Sequence, residues 1–248
     1  MKRYKADLQL HSCLSPCGSL DNSPLQIART AREKGIDILA LTDHNTAANC
    51  PALAAAVADL PGLTAFYGVE CTSAEEIHLI CLFGTVDQAV SFGELTARHL
   101  PDRKNDPEYF GDQPVVDAQE TIVRFEDAFL AGATDLTLET IIDEVHAREG
   151  VILASHVDRS INSIFSQLGI WPMDAALDGY DLSGRGDPEK WKGRVPEHLP
   201  MIRSSDAHYL EDIGKHPVWL IMQEPTFEEF RLALRGEGGR GISIRSMT

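Results

Sequence analysis

Short apolar runs alternate with longer amphipathic ones along most of the chain, and this rhythm limits the fold more than any other feature. "KADLQLH" precedes "SPLQIARTAREKG", "IDILALTDH" precedes "PALAAAVADL", "LTAFYGVE" and "IHLICLF" follow, and "LETIIDEVHAREG" precedes "VILASHVD". Alternation of this kind predicts parallel strands with covering helices. Helix punctuation agrees: Ser23-Pro24 forms an N-cap and first-turn pair, Gly35 ends the first helix, and Gly150 follows the helix that begins near Thr137. Towards the C-terminus come "GYDLSG", "MIRSSDAH" and "VWLIMQ", then an amphipathic "TFEEFRLALRG" and a Gly-rich end. At 248 residues the chain is close to the size of one α/β barrel, so residues 1–248 are expected to form one domain. The exception to the rhythm is Pro101 to Asp135, polar and rich in Pro and Asp, which reads as an insertion on the barrel rim.

Against this frame the placement of metal-binding atoms stands out. Strand side chains alternate faces, so Gln9 and His11 are expected on one face, as are Asp206 and His208 in "SSDAH". His44 closes "LTDH", Glu70 closes "FYGVE", His78 opens "IHLICLF" and His156 lies near the end of "VILASH". Five of the nine histidines thus lie in or at the ends of predicted strands, where barrels build their active sites. His99, His146, His198 and His216 read as surface residues. Buried imidazoles and carboxylates need mutual pairing or a metal. Taken singly, His78 would be a core histidine and Asp43 a cap; so many together favour metal. Imidazole and carboxylate ligands suit zinc, manganese or iron, and Glu70 could bridge two ions, which suggests hydrolysis.

Composition narrows the partners. The formal charge is −16, from 38 acidic against 22 basic residues, and no Lys/Arg run forms a local basic patch. That balance repels a nucleic-acid backbone unless metal ions offset it, so a polymeric nucleic acid is not expected as partner. No apolar run suggests a membrane span or a secretory segment, which makes the cytoplasm the expected compartment. Five scattered cysteines make a disulfide framework improbable, and Cys13 with Cys17 is weak evidence for a zinc knuckle.

The segments "ADLQLHS", "LALTDHN", "GVE" with "IHLICL", "ASHVDR" and "SSDAH" follow one another from residue 6 to residue 208. In type and order they resemble the motifs of the PHP (polymerase and histidinol phosphatase) superfamily of metal-dependent phosphoesterases. The resemblance implies an α/β fold, a distorted (β/α)7 TIM-like barrel, with two or three divalent ions at its C-terminal rim. It further implies that His11, Glu70 and Asp206 hold one ion, Glu70, His78 and His156 a second, and His44 with His208 a third. Asp7 and Asp43 match positions that orient the ligands.

Two departures from the family pattern matter. The first motif normally reads Asp-x-His-x-His, and Gln9 stands where its first histidine would be, a neutral oxygen ligand at most. The nearest candidate for a further ligand after that motif is Cys17; a thiolate there would favour zinc or iron over magnesium, and an ordinary turn cysteine is the equal alternative. Arg159 in "SHVDR" and Arg185 in "LSGRGD" are candidates to grip a substrate phosphate, with rim salt bridges as the alternative.

The leading expectation is a phosphoric ester hydrolase acting on a small phosphorylated substrate or nucleotide through metal-activated water, with His208 and Arg159 as its catalytic side chains. A degenerate metal-binding protein without catalysis is one alternative. An amidohydrolase-like enzyme is another, set back by the absence of a lysine from the middle strands. The insertion is expected to be a lid or side wall, or else the contact of a homo-oligomer.

Overall fold

The structure, a computed structural model, describes residues 1–244. The first half runs β1 (Lys2–Leu10), α1 (Pro24–Glu33), β2 (Ile38–Leu41), α2 (Cys50–Ala58), β3 (Thr64–Thr72), β4 (His78–Phe83) and α3 (Val86–Arg98). Three short elements occupy the insertion: α4 (Pro107–Phe110), β5 (Pro114–Val116) and β6 (Ile122–Phe125). The second half continues with α5 (Leu138–Ala147), β7 (Val151–Ala154), α6 (Ile164–Leu168), β8 (Gly179–Asp181), β9 (Met201–Ile202), β10 (Val218–Met222), α7 (Phe227–Leu234) and β11 (Gly241–Ser243).

Nine strands form one sheet in the order β11-β10-β1-β2-β3-β4-β7-β8-β9. The sheet curls until the segment after β9 returns to β1: Leu10 bridges Ala207, and the amide of His11 donates to the Ala207 carbonyl at 3.0 Å. One face is covered by the helices, with Ile27 and Ala28 of α1, Leu53 of α2, Phe92 of α3 and Ile141 of α5 in a common core with Leu39 and Leu41. The other face packs on itself through Ala6, Leu8, Ile38, Phe66, Ile80 and Leu153, and is sealed by Phe230 and Leu234 of α7. The Phe66 ring meets Phe227 and Phe230 at 5.2 and 5.5 Å between centroids.

The fold is therefore a mixed α/β, nearly closed barrel, but not a strict βα repeat. β1, β2 and β3 pair in parallel, as do β7, β8 and β9, whereas β4 is antiparallel to both β3 and β7, and β10 is antiparallel to β1 and β11. The connection from Thr72 to His78 is the reason: five residues cannot make a crossover, so β4 must turn back beside β3. A 13-residue helix, α3, which the strand-helix rhythm did not single out, begins at a Thr85–Gln88 capping box.

Ser23 caps α1 by accepting from the Gln26 amide, and Gly35 takes the left-handed conformation at φ 67°. Gly150 acts differently from the expectation. The left-handed residue after α5 is Glu149, and Gly150 is small because a Cβ there would lie 2.6 Å from Phe83 Cε1. Asp206 and His208 also differ: they lie beyond β9 in an irregular segment, with Asp206 at φ 47°, so strand alternation does not place them.

The insertion, residues 101–135, is pinned by buried side chains. Asn49 donates to the Pro114 carbonyl and accepts from the Val116 amide, Asn45 donates to the Leu130 and Gly132 carbonyls, and Leu14, Val115 and Leu130 make a small core beneath it. All five cysteines are free, and no helix among the described residues is long and apolar enough to cross a membrane.

Candidate metal centre

Glu70 is the pole of the site. It sits on β3 beyond the parallel pairing of β2 and β3, and Asn45, past the end of β2, donates its amide to the Glu70 carbonyl at 3.0 Å. Four imidazoles surround its buried carboxylate: His11 Nε2 at 3.2 Å and His44 Nδ1 at 3.5 Å from Oε2, His78 Nδ1 at 3.2 Å and His156 Nε2 at 3.4 Å from Oε1. His11 Nε2 is also 3.2 Å from Asp206 Oδ1. The rings run in a file, His208 to His11 at 4.6 Å, His11 to His44 at 4.7 Å, His44 to His78 and His78 to His156 at 5.3 Å. Residues from β1, β2, β3, β4, β7 and the segment after β9 thus meet at one rim, as the strand-end pattern predicts.

The electrostatics show how strained this arrangement is with protons alone. Burial opposes the charge on Glu70, yet the His78 charge and hydrogen bonds from His11 and His156 hold its carboxyl well below the usual range. Burial likewise opposes charge on His11, and hydrogen bonds to Asp206 and Glu70 nevertheless carry it well above an ordinary imidazole. His44 goes the other way, pushed down to about 3 by burial despite the nearby Glu70 charge. Asp206 is buried too, but its hydrogen bond to His11 and the Arg159 charge keep it below the carboxylate range.

Three side-chain groups have the donor atoms to hold an ion, each with those atoms within 4.8 Å of one another: His11, Glu70 and Asp206; His44, Glu70 and His78; and His11, Cys17, His44 and His208. The donor set fits divalent metal on an independent observation. Nδ1 of His44, His78 and His156 is buried without a hydrogen-bond partner; the first two approach Glu70 but off the hydrogen-bond line. Buried ring nitrogens left unmatched are costly, and a metal lone-pair acceptor is the partner that three neighbouring ones call for. His156 and Asp206 hold left-handed backbone at φ 26° and 47°, a strain typical of functional sites.

Asp43 and Asp7 bond the backbone and hydroxyls beside the candidate ligands, and neither bonds a candidate ligand directly. Asp43 accepts from the Ser12 amide at 2.7 Å, the Ser12 hydroxyl at 2.6 Å and the Ser15 hydroxyl at 2.7 Å. Ser15 Oγ lies 3.1 Å from His11 Nδ1, and because its proton goes to Asp43 it accepts the ring N–H. That leaves His11 Nε2 as the atom facing Glu70 and Asp206. Asp7, raised to about 6 by burial, accepts from the amides of Ser205 and Gly214 and so fixes the backbone that carries Asp206.

Several polar partners had no motif to announce them. Ser155 and Ser204 bond Gln9, and Asp181, raised to about 8 by burial, accepts from the His156 amide and shares the one Ser204 hydroxyl proton with Gln9. Gln9 itself turns its amide nitrogen to Glu70 Oε1 at 2.7 Å and its oxygen to Ser204 at 3.0 Å. Cys17 sits at the mouth: the residue is open to solvent while its thiol leans among the ligands, where burial pushes it up to about 11.

His208 Nδ1 is 2.7 Å from the Asp206 carbonyl, which can only accept, so Nδ1 carries the proton and Nε2 is a lone pair. Burial lowers its pKa as well. Such a ring ligates or takes a proton rather than giving one. Arg159 is half-exposed and pairs with Asp206, while Arg185, Ser183, Ser205 and His216 line with it an opening of about 580 Å³ beside the centre. His99 and His146, as expected of surface residues, pair with Asp135 and Asp178 away from the centre.

No family model matches the sequence, and no curated protein does. The fold, however, has clear counterparts among solved structures. The lesion-specific endonuclease PfuEndoQ from Pyrococcus furiosus is similar at TM-score 0.71 and 20% identity over 97% of this chain. Endonuclease Q in complex with a 27-mer duplex carrying an abasic lesion at the active site is similar at TM-score 0.67 and 18% identity, again over 97% of this chain. In both cases this chain spans 58% of the other's length. A candidate metal-dependent phosphoesterase from Bifidobacterium adolescentis is similar at TM-score 0.59 and 17% identity over 82% of this chain and 87% of that one. An amidohydrolase from Chromobacterium violaceum, with bound sulfate, is similar at TM-score 0.58 and 18% identity over 86% and 90%.

The duplex complex corrects the expectation, drawn from the net charge of −16, that a polymeric nucleic acid is not a partner: a protein of similar fold holds duplex DNA. Net charge describes the whole surface, whereas the field at one rim is set by the ions and arginines gathered there. In fold the chain is similar to these barrels, and its motifs resemble those of the PHP superfamily in type and order.

Proposed function

We propose that the chain is a metal-dependent phosphoesterase acting on a nucleotide or nucleic-acid phosphoester. The observation that carries the reading is the convergence of five imidazoles and two carboxylates on one rim, with unmatched ring nitrogens among them. His11, Glu70 and Asp206 would hold one ion, Glu70 with His44, His78 and His156 another, and His208 with Cys17 would complete a third set. Divalent ions there would acidify water and neutralise charge developing on a phosphoryl oxygen.

The chain's own residues do the rest. Asp206 holds the Arg159 guanidinium at the rim, where its remaining N–H groups are free to fork onto a phosphate, and Arg185 faces the same opening. His208 Nε2 is a proton acceptor or ligand, so the proton for the leaving oxygen comes from water. The insertion walls a groove of about 520 Å³ with Leu20, Ser23, Glu120, Ile122 and Phe125, whose lining includes no candidate ligand. The endonuclease Q likeness supports extending the substrate range to strands, and the sulfate-bearing amidohydrolase supports testing carbon-nitrogen substrates beside them.

The test is hydrolysis of monoesters, nucleotides, single strands and intact or lesion-bearing duplex by metal-stripped protein reloaded with zinc, manganese or iron. Turnover that depends on metal and disappears in Asp206→Ala is expected. Equal turnover in wild type and Asp206→Ala would reject the mechanism.

A further inference from the structure

Gln9 is fully buried within hydrogen-bond reach of the pole of the metal centre. A side chain in that position can act either as a neutral oxygen ligand or as a fixed donor. Its hydrogen bonds decide between the two. One amide N–H goes to Glu70 Oε1 at 2.7 Å and the other to Ser155 Oγ at 3.1 Å. The amide oxygen lies 3.0 Å from Ser204 Oγ, whose one proton it shares with Asp181 Oδ1 at 2.8 Å. Reversing the amide would set its oxygen against a carboxylate that only accepts, so the assignment follows from the chemistry of Glu70.

Ser155 closes the loop by donating to the same Glu70 oxygen at 3.0 Å. Oε1 thereby takes hydrogen bonds from Gln9 and from Ser155, with His78 Nδ1 at 3.2 Å and His156 Nε2 at 3.4 Å beside it. The other oxygen, Oε2, takes none from this network and is the one that faces His11 and His44.

We propose that Gln9 is a positioning residue and not a metal ligand. With Ser155 it holds Glu70 Oε1, and so fixes the carboxylate in the orientation that turns Oε2 to His11 and His44 and Oε1 to His78 and His156. The network is made of protein groups alone, and it holds Glu70 in one rotamer. Losing such a partner of a ligating carboxylate costs about 10- to 100-fold in metal affinity without removing an ion. This inference rests on the metal-dependent reading of the rim, and the experiment separates the two.

The experiment measures bound metal by elemental analysis, cobalt(II) absorption spectra and thermal unfolding of metal-free protein, in wild type, Gln9→Leu and Gln9→His, with circular dichroism as the check on folding. Gln9→Leu should keep the wild-type number of ions and the cobalt band positions, bind metal about 10- to 100-fold more weakly, and lower the metal-free Tm because Oε1 loses a donor. Gln9→His, which puts a metal-binding nitrogen in place of the amide, should gain one ion over wild type. Loss of an ion or a shifted cobalt band in Gln9→Leu would make Gln9 a ligand and overturn the proposal. An unchanged affinity together with an unchanged metal-free Tm would overturn it as well. If wild type binds no metal at all, the phosphoesterase reading falls, while the metal-free Tm of Gln9→Leu still decides whether the network is real.

Discussion

Asp43→Ala tests whether the site is held together by its supporting hydrogen bonds. The carboxylate is almost fully buried and accepts from the Ser12 amide, the Ser12 hydroxyl and the Ser15 hydroxyl, all within 2.7 Å. Alanine leaves three buried donors without an acceptor. The two hydroxyls can rotate and recover part of their loss, but the Ser12 amide cannot, and each buried donor left unmatched costs about 1–3 kcal/mol. Against this stands the burial that already raises the Asp43 pKa, a cost that the substitution removes. The net loss should be about 3 kcal/mol, which for a chain of this size lowers Tm by about 6–12 °C.

A second effect follows from the same bonds. Ser15, freed from Asp43, no longer fixes the Nδ1 proton of His11, so metal affinity should fall about 10- to 100-fold. Asp43→Asn keeps one acceptor and should lie between. Thermal unfolding of metal-free protein gives the first number and calorimetric metal titration the second. An Asp43→Ala protein within about 2 °C of wild type, with unchanged metal affinity, would refute the reasoning.

Gly150→Ala should cost about 1–3 kcal/mol in urea unfolding, because the new Cβ falls 2.6 Å from Phe83 Cε1 and 2.8 Å from Val145 Cγ1. Glu70 and Asp206 are both held below their ordinary carboxyl values in the folded chain, so their contribution is present above about pH 4 and is lost as pH falls towards their folded values. The urea midpoint of metal-free protein should therefore fall between pH 5 and about pH 3, and Glu70→Gln with Asp206→Asn should flatten that fall. Asn49→Ala removes the bonds that pin Pro114 and Val116, and should speed limited proteolysis within residues 101–135 while leaving the rest of the chain protected.

Much of the cluster at the rim could be read in the sequence because each residue stands at the end of an apolar run: His44 after "ILALTD", Glu70 after "AFYGV", His156 after "VILAS". The alternation of strands and helices located the rim for the same reason. Asp206 was singled out by its motif, and the structure brings it to the rim on left-handed backbone beyond β9 rather than on a strand, so the strand alternation expected there does not hold. The parallel reading of β4 failed because periodicity does not show strand direction; the five-residue connection before it does.

The orientation of Gln9 could not be read at all. It depends on Ser155 and Ser204, 146 and 195 residues away, and neighbours that distant are brought together only by the closed barrel. The expectation against a polymeric nucleic acid failed for a related reason. A charge of −16 is a sum over the whole chain, and recognition of a phosphate depends on the few groups at the rim.

The most direct test of the metal centre is the metal content of wild type and Glu70→Ala after dialysis against a weak chelator, with folding checked by circular dichroism. Wild type should retain two or three transition-metal ions per chain and Glu70→Ala should lose them while remaining folded. Equal metal content in the two proteins, or none in a folded wild type offered zinc, manganese or iron, would contradict the assignment of Glu70 as the pole of the site.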